Sequence, residues 1–209
     1  MAAAEHGANQ TEFAGGLIGP RASAYCLDVT QGTDKLVVSV EAGRDHIRGN
    51  IHAPLTLLEY GDYECPTCGK VYPIVAQLRK ALGEGLRFVF RHFPQNSVHP
   101  RASVAAQAAE AAHAQGKFWS MHDMLFEHQA DLAEADLVQY ALRVGLEVYR
   151  FEADLSAERF APRVREDFES GQASGVTGTP TFFINGVKYQ GPKEFEAILA
   201  ALSSEGEGK

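Results

Sequence analysis

Two of the chain's three cysteines, Cys65 and Cys68, stand two residues apart in "YGDYECPTCGKVYP", which runs from Tyr60 to Pro73. A Cys-x-x-Cys pair can bind zinc, exchange disulfides or do neither. A structural zinc site takes four thiolate or imidazole ligands, usually from a second such pair or from closely spaced histidines. Cys26 is the one cysteine left, and the eight histidines are scattered. His122 and His128 are six apart and so fall on different faces of a helix. Zinc is therefore disfavoured, and no metal site is expected. Two inert buried thiols would leave unexplained why Pro66 separates the cysteines at a strand-to-helix junction.

That junction favours redox chemistry. A thiolate at a helix N-terminus meets unpaired backbone N–H groups and the positive end of the helix dipole, and both lower its pKa. Cys65 is expected at the N-cap or just before the first turn. Pro66 then takes the first helical position, where its missing N–H costs nothing. Cys68, three residues on, shares the helix face but lies deeper. One thiol attacks and the other resolves.

The elements that must hold these residues can be read from periodicity. "LVVSV" (Leu36 to Val40) is a strand candidate, and "PLTLLEYG" (Pro54 to Gly61) is a buried strand that leads directly to the cysteines. "KVYPIVAQLRKALGEG" repeats Val71, Ile74, Val75, Leu78 and Leu82 at helical spacing, with Pro73 expected to kink it and Gly83 and Gly85 to end it. "LRFVFRHF" (Leu86 to Phe93) is the next strand. From Ser97 to Gly175 helical patterns run on: an Ala-rich helix with Pro100 near its first turn, then stripes of Phe118, Met121 and Leu125, of Leu137, Tyr140, Ala141 and Val144, and of Phe160, Val164 and Phe168. Ser156 is a candidate cap for the last of these. The stripes read as core, and the acidic residues from Glu147 to Asp154 as a solvated face. Strands return as Thr181–Ile184 and Val187–Tyr189 around Asn185-Gly186, a strong type I′ hairpin signal. A final helix points Phe195, Ile198, Leu199 and Leu202 inward.

With 209 residues, 45% of them hydrophobic and 22% charged, the composition is that of a globular chain able to bury a core without disulfide staples. A net charge of −8 and a pI near 5.5 argue against nucleic-acid binding. No apolar run approaches a membrane span. Glu5 and His6 stand where a secretory signal carries basic residues, so the expected location is cytoplasmic. Three cysteines leave at least one thiol outside any pairing, and Cys26 reads as a spare thiol.

The stretch "LLEYGDYECPTCGKVYP" resembles the active-site segment of the DsbA-like branch of the thioredoxin superfamily. Glu59 stands six residues before Cys65, where that superfamily keeps a buried acid. Pro73 stands at the place of its helix-kinking proline. "GVTGTPTFFING" is similar to the segment with the superfamily's cis-proline, which falls on Pro180, and "GKFWSMHDMLFEHQ" to the inserted helical domain of the DsbA-like branch. The resemblance implies an α/β thioredoxin fold with an inserted all-helical domain. Residues 1–33 would be an extension, 34–96 and 176–203 the two parts of the thioredoxin domain, 97–175 the helical insertion and 204–209 an acidic tail. It implies a protein-disulfide oxidoreductase that needs no cofactor. Its partners would be protein or peptide thiols and disulfides, with a separate redox recycling partner, and neither nucleic acid nor membrane.

Cys65 would attack a substrate disulfide, Cys68 would resolve the mixed disulfide, and Glu59 would take or supply the proton. Thr179 and Pro180 would present backbone to extended substrate. The dipeptide between the cysteines, Pro66-Thr67, departs from the Pro-His of strongly oxidising members, and Thr67 argues against an extreme oxidant. The rival reading is a scaffold of the same fold, or a glutathione-dependent enzyme without disulfide exchange. Neither needs two thiols.

Overall fold

The computed structural model describes residues 34–206. The extension expected over 1–33, Cys26 within it, and residues 207–209 lie outside the described residues. Five strands form one sheet in the order β1-β3-β2-β4-β5: β1 His46–Gly49, β2 Leu55–Gly61, β3 Leu86–His92, β4 Thr181–Ile184 and β5 Val187–Tyr189. β2 pairs parallel with β3 and antiparallel with β4, while β1 runs antiparallel to β3 at one edge. The parallel β2–β3 pair needs a crossover, supplied by α1, Pro66–Leu82. Gly83 caps α1 at φ 49°, a backbone that favours glycine. Five helices then stand between β3 and β4: α2 Ala102–His113, α3 Phe118–Glu127, α4 Glu134–Arg143, α5 Val148–Ser156 and α6 Ala161–Ala173. The closing helix α7, Phe195–Gly206, extends past the expected start of the tail at 204.

Every residue of β2 is buried, as a central strand covered on both faces must be. Its side chains alternate. Leu57 joins the core built with Cys68, Val71 and Val75 of α1, whereas Leu58 and Tyr60 join a second cluster with Val89, Phe93 and Phe183, against which Phe168 of α6 packs. By that period Glu59 faces α1. The β4–β5 hairpin turns on Asn185 (φ 48°) and Gly186 (φ 83°), and Asn185 is tied to Thr56 by two hydrogen bonds of 2.9 Å.

Three local expectations are corrected. Leu36–Val40 is not a strand. The fully buried guanidinium of Arg91 takes the carbonyls of Val38 (2.9 Å) and Ser39 (3.0 Å), while also pairing with Asp45 at 2.8 and 3.0 Å. Those carbonyls serve an ion pair instead of a ladder, and the edge strand is the short, polar β1. Ser156 does not cap α6; it ends α5, and Pro162 in the first turn starts α6 after Phe160. The Glu147–Asp154 stretch is not wholly solvated. It forms most of α5, which buries Phe151 and Asp154, and Asp154 pairs with Arg159 at 2.9 Å.

Candidate active site

α1 begins at the cysteines because Cys65 has extended backbone (φ −73°, ψ 118°) and Pro66 fixes the first helical φ. Cys65 is the N-cap, its carbonyl accepting from Gly69 N–H at 3.1 Å. Both thiols are free, and Cys68 is wholly buried. Pro66 and Thr67 between them are exposed, so the approach to the pair is over this dipeptide.

The two sulfurs are driven apart in acidity. The Cys65 thiol is brought down to about 5, first by the hydrogen bond from the Cys68 side chain, then by the Thr179 side chain and the backbone N–H groups of Cys68 and Thr67. Cys68 goes far up, because burial disfavours its thiolate and its hydrogen bond serves Cys65. At neutral pH one sulfur is a nucleophile and the other holds its proton.

Glu59 lies on β2 beneath α1, between Phe90 and Phe182 on the neighbouring strands. Its Oε1 is buried without a hydrogen-bond partner. Burial, then the nearby negative Cys65, raises its carboxyl to about 8. A cavity of about 320 Å³, lined among others by Arg48, Tyr72, His122 and Asp123, adjoins this acid. On the other side of the thiols, the Thr179–Pro180 peptide is cis, and the Cys65 thiol donates to Thr179 O at 3.4 Å. The structure thus gathers Cys65, Cys68, Thr179 and Pro180 in one place, with Glu59 under the helix that carries the sulfurs.

Three supporting residues escaped the sequence. Asp62, fully buried, accepts from Glu64 N–H (2.8 Å), Gln95 N–H (2.9 Å) and His99 Nδ1 (2.8 Å), and so fixes the turn before Cys65. Gln95 donates to Thr179 Oγ1 at 2.9 Å. Gln129 donates to the carbonyls of Tyr63 (2.7 Å) and Cys65 (3.0 Å). Gly69 leaves room for that amide, since a Cβ there would stand 2.0 Å from Gln129 Oε1. The signal for Asp62 was present, as a short polar residue three before the N-cap. Nothing local marks Gln95 or Gln129.

Comparison with known proteins gives three findings. The profile of a family described as Thioredoxin matches residues 41–204. Over 184 residues the chain is 47% identical to "Na(+)/H(+) antiporter NhaA 1" of Salinispora arenicola, and over 172 residues 42% identical to a protein of the same name from Mycolicibacterium vanbaalenii. These matches cover 88% and 81% of this chain but 28% of each relative, so the chain spans little more than a quarter of their length. Among solved structures, oxidised BdbD from Bacillus subtilis is similar with a TM-score of 0.75 at 24% identity, over 84% of this chain and 100% of that one. A thioredoxin-like oxidoreductase from Silicibacter pomeroyi matches at 0.70 and 26% identity (79% and 94% covered), and alpha-DsbA1 from Wolbachia pipientis at 0.68 and 20% (84% and 96%).

Proposed function

The chain belongs to the thioredoxin family, with the fold of its DsbA-like branch, and on that premise we propose that it exchanges disulfides with protein or peptide substrates through Cys65 and Cys68. The observation that carries this reading is two free thiols within one helical turn, Cys65 at the N-cap beside the exposed Pro66-Thr67 and Cys68 wholly buried behind it, a placement that favours the thiolate at the first and the thiol at the second. A scaffold has no use for that asymmetry.

In the reducing direction, the Cys65 thiolate attacks one sulfur of a substrate disulfide, and the other leaves as a thiolate. The mixed disulfide removes the negative charge from Cys65, and with it one of the two causes that hold Glu59 protonated. Glu59 then ionises beside the cavity and takes the proton of Cys68 as that sulfur attacks Cys65. Two electrons have passed to the substrate, which leaves as a dithiol, and a separate thiol–disulfide partner must reset the Cys65–Cys68 disulfide. The oxidising direction reverses each step, with Glu59 returning the proton to Cys68. Extended substrate pairs with the backbone at Thr179, beside Pro180. The curated relatives carry a transporter's name, and this chain matches 28% of their length. No helix among the described residues is long and apolar enough to cross a membrane.

Insulin reduction by the protein and by Cys65→Ser tests the reading, with loss of turnover expected in the variant. Iodoacetamide alkylation against pH should show one fast thiol, mapping to Cys65, with a midpoint near 5. A first-reacting Cys26, or a midpoint near the free-thiol value of about 8.5, removes the assignment.

A further inference from the structure

Apart from the thiols, one cluster of buried titratable groups is assembled from three elements. Glu110 on α2 accepts with a single oxygen, Oε1, from His46 Nε2 of β1 at 2.7 Å and from His92 Nε2 of β3 at 2.9 Å. All three residues are buried, and their ligand atoms lie within 4.8 Å of one another. His113, three residues after Glu110 and so on the same face of α2, packs edge-on against the His46 ring at 4.6 Å and is itself exposed. We propose that His46, His92 and Glu110, completed by His113, bind one divalent transition-metal ion of the zinc type.

Two imidazoles and a carboxylate form a donor set that suits zinc, and a third imidazole makes the tetrahedron. The sequence argument against zinc concerned the cysteines, and this set uses none of them. The fold converges residues 46, 92, 110 and 113, whose spacing carries no motif. A carboxylate only accepts, so both Nε2 atoms carry protons in the metal-free cluster. For Nε2 to ligate, that proton must leave it, and each ring's Nδ1 is the other nitrogen that can carry it. His92 Nδ1, which is buried without a partner, is free to receive one.

Among the described residues no lysine or arginine lies within ion-pair distance of Glu110, so within the cluster its carboxyl is met by the two imidazoles. His113 is the exposed member of the set, so an ion would enter from its side. The two short contacts to Oε1 must open by about half an ångström to give ordinary spacing between zinc ligands. His46 is preset by stacking on Phe118, with ring centroids 3.4 Å apart and planes 8° from parallel.

The test uses the full chain with Cys26, Cys65 and Cys68 all changed to serine, so that no thiol competes, after treatment with a chelator. Zinc is titrated by calorimetry and cobalt by its visible absorption. One ion per chain, tetrahedral cobalt bands and a higher melting temperature with zinc are expected. Glu110→Gln and His92→Gln should abolish binding with the fold retained by circular dichroism. His113→Ala, at an exposed position that should not disturb folding, should weaken binding by about 10-fold or more. No saturable binding at micromolar metal overturns the proposal. So does an affinity unchanged in His113→Ala, or unchanged in whichever of the two buried variants folds.

Discussion

Glu59 and Glu110 are buried almost equally, at 3% and 2% exposure, on elements that flank the same strand β3. Their carboxyls nonetheless move in opposite directions: Glu59 rises to about 8, and Glu110 falls far below its ordinary value. Burial pushes both upward. The difference is in partners, because Glu59 Oε1 has none and Glu110 Oε1 receives two N–H donors. Depth therefore does not define a buried acid. A partnered acid is fixed in charge and belongs to structure or to a cation, whereas an unpartnered one beside a cavity can change charge within the physiological range.

The comparison breaks most visibly at Glu110. Glu110→Leu strands the Nε2 donors of His46 and His92 in the core, and breaking a buried charged cluster in this way should cost about 3–5 kcal/mol in urea unfolding. Glu110→Gln keeps one acceptor and should cost less. The pH dependence has a definite sign. His46 and Glu110 both have folded pKa values below their ordinary 6.5 and 4.5. Their contribution is complete above about pH 6.5 and is lost as the pH falls, first as unfolded His46 takes up protons and then as Glu110 does. Stability of the native protein should decline from pH 6.5 towards 4, and Glu110→Leu should remove the part of that decline below about pH 4.5, the part that Glu110 itself contributes.

Glu59 should show the opposite sign. Its folded pKa is raised from 4.5 to about 8, so its favourable contribution is complete below about pH 4.5 and is lost as the pH rises through 8. Glu59→Leu should therefore stabilise the protein by about 2 kcal/mol at pH 9 and by less at pH 5. The same variant should slow resolution of a mixed disulfide on Cys65 by about 10–100-fold near neutral pH, measured by stopped flow. Equal rates would leave Glu59 a buried acid without a part in the exchange.

Local rules made half of this legible. Cys65-Pro66 marks the start of α1 because proline fixes φ and the thiol side chain leaves the N–H groups free. Asn185-Gly186 marks the hairpin because both residues need positive φ. Glu59 was readable as buried because its strand leaves no solvated face. The Glu110 cluster was not legible, since nothing near Glu110 in "AAQAAEAAHAQG" announces His46 or His92, and an Ala-rich helix reads the same with its glutamate in water. Arg91 was hidden for the same reason. A charged residue inside "LRFVFRHF" reads as a strand's solvent side, yet its partners are Asp45 and the carbonyls of Val38 and Ser39, about fifty residues earlier in the chain. Patterns of period two or 3.6 report which face is buried. They do not report which distant polar group meets it there.

The smallest effect is expected where a partner is neutral and half exposed to water. Gln129 follows α3 and gives both of its amide hydrogens to the carbonyls of Tyr63 and Cys65, tying the helical segment to the turn that presents the nucleophile. In Gln129→Ala those carbonyls gain access to water, which replaces most of what they lose, so stability should fall by only about 1 kcal/mol. The functional consequence is separate. The Cys65 thiolate depends on backbone N–H groups of Thr67 and Cys68 held in register by the first turn of α1, and Gln129 grips the carbonyl of the residue that begins that turn. Loosening it should move the alkylation midpoint of Cys65 upward by a few tenths of a pH unit at most, about 0.5 kcal/mol. Gly69→Ala should reproduce both changes, because its Cβ takes the space of the Gln129 amide. A double variant should then add little to either, and additive losses in the two would show that Gln129 and Gly69 act on the turn independently.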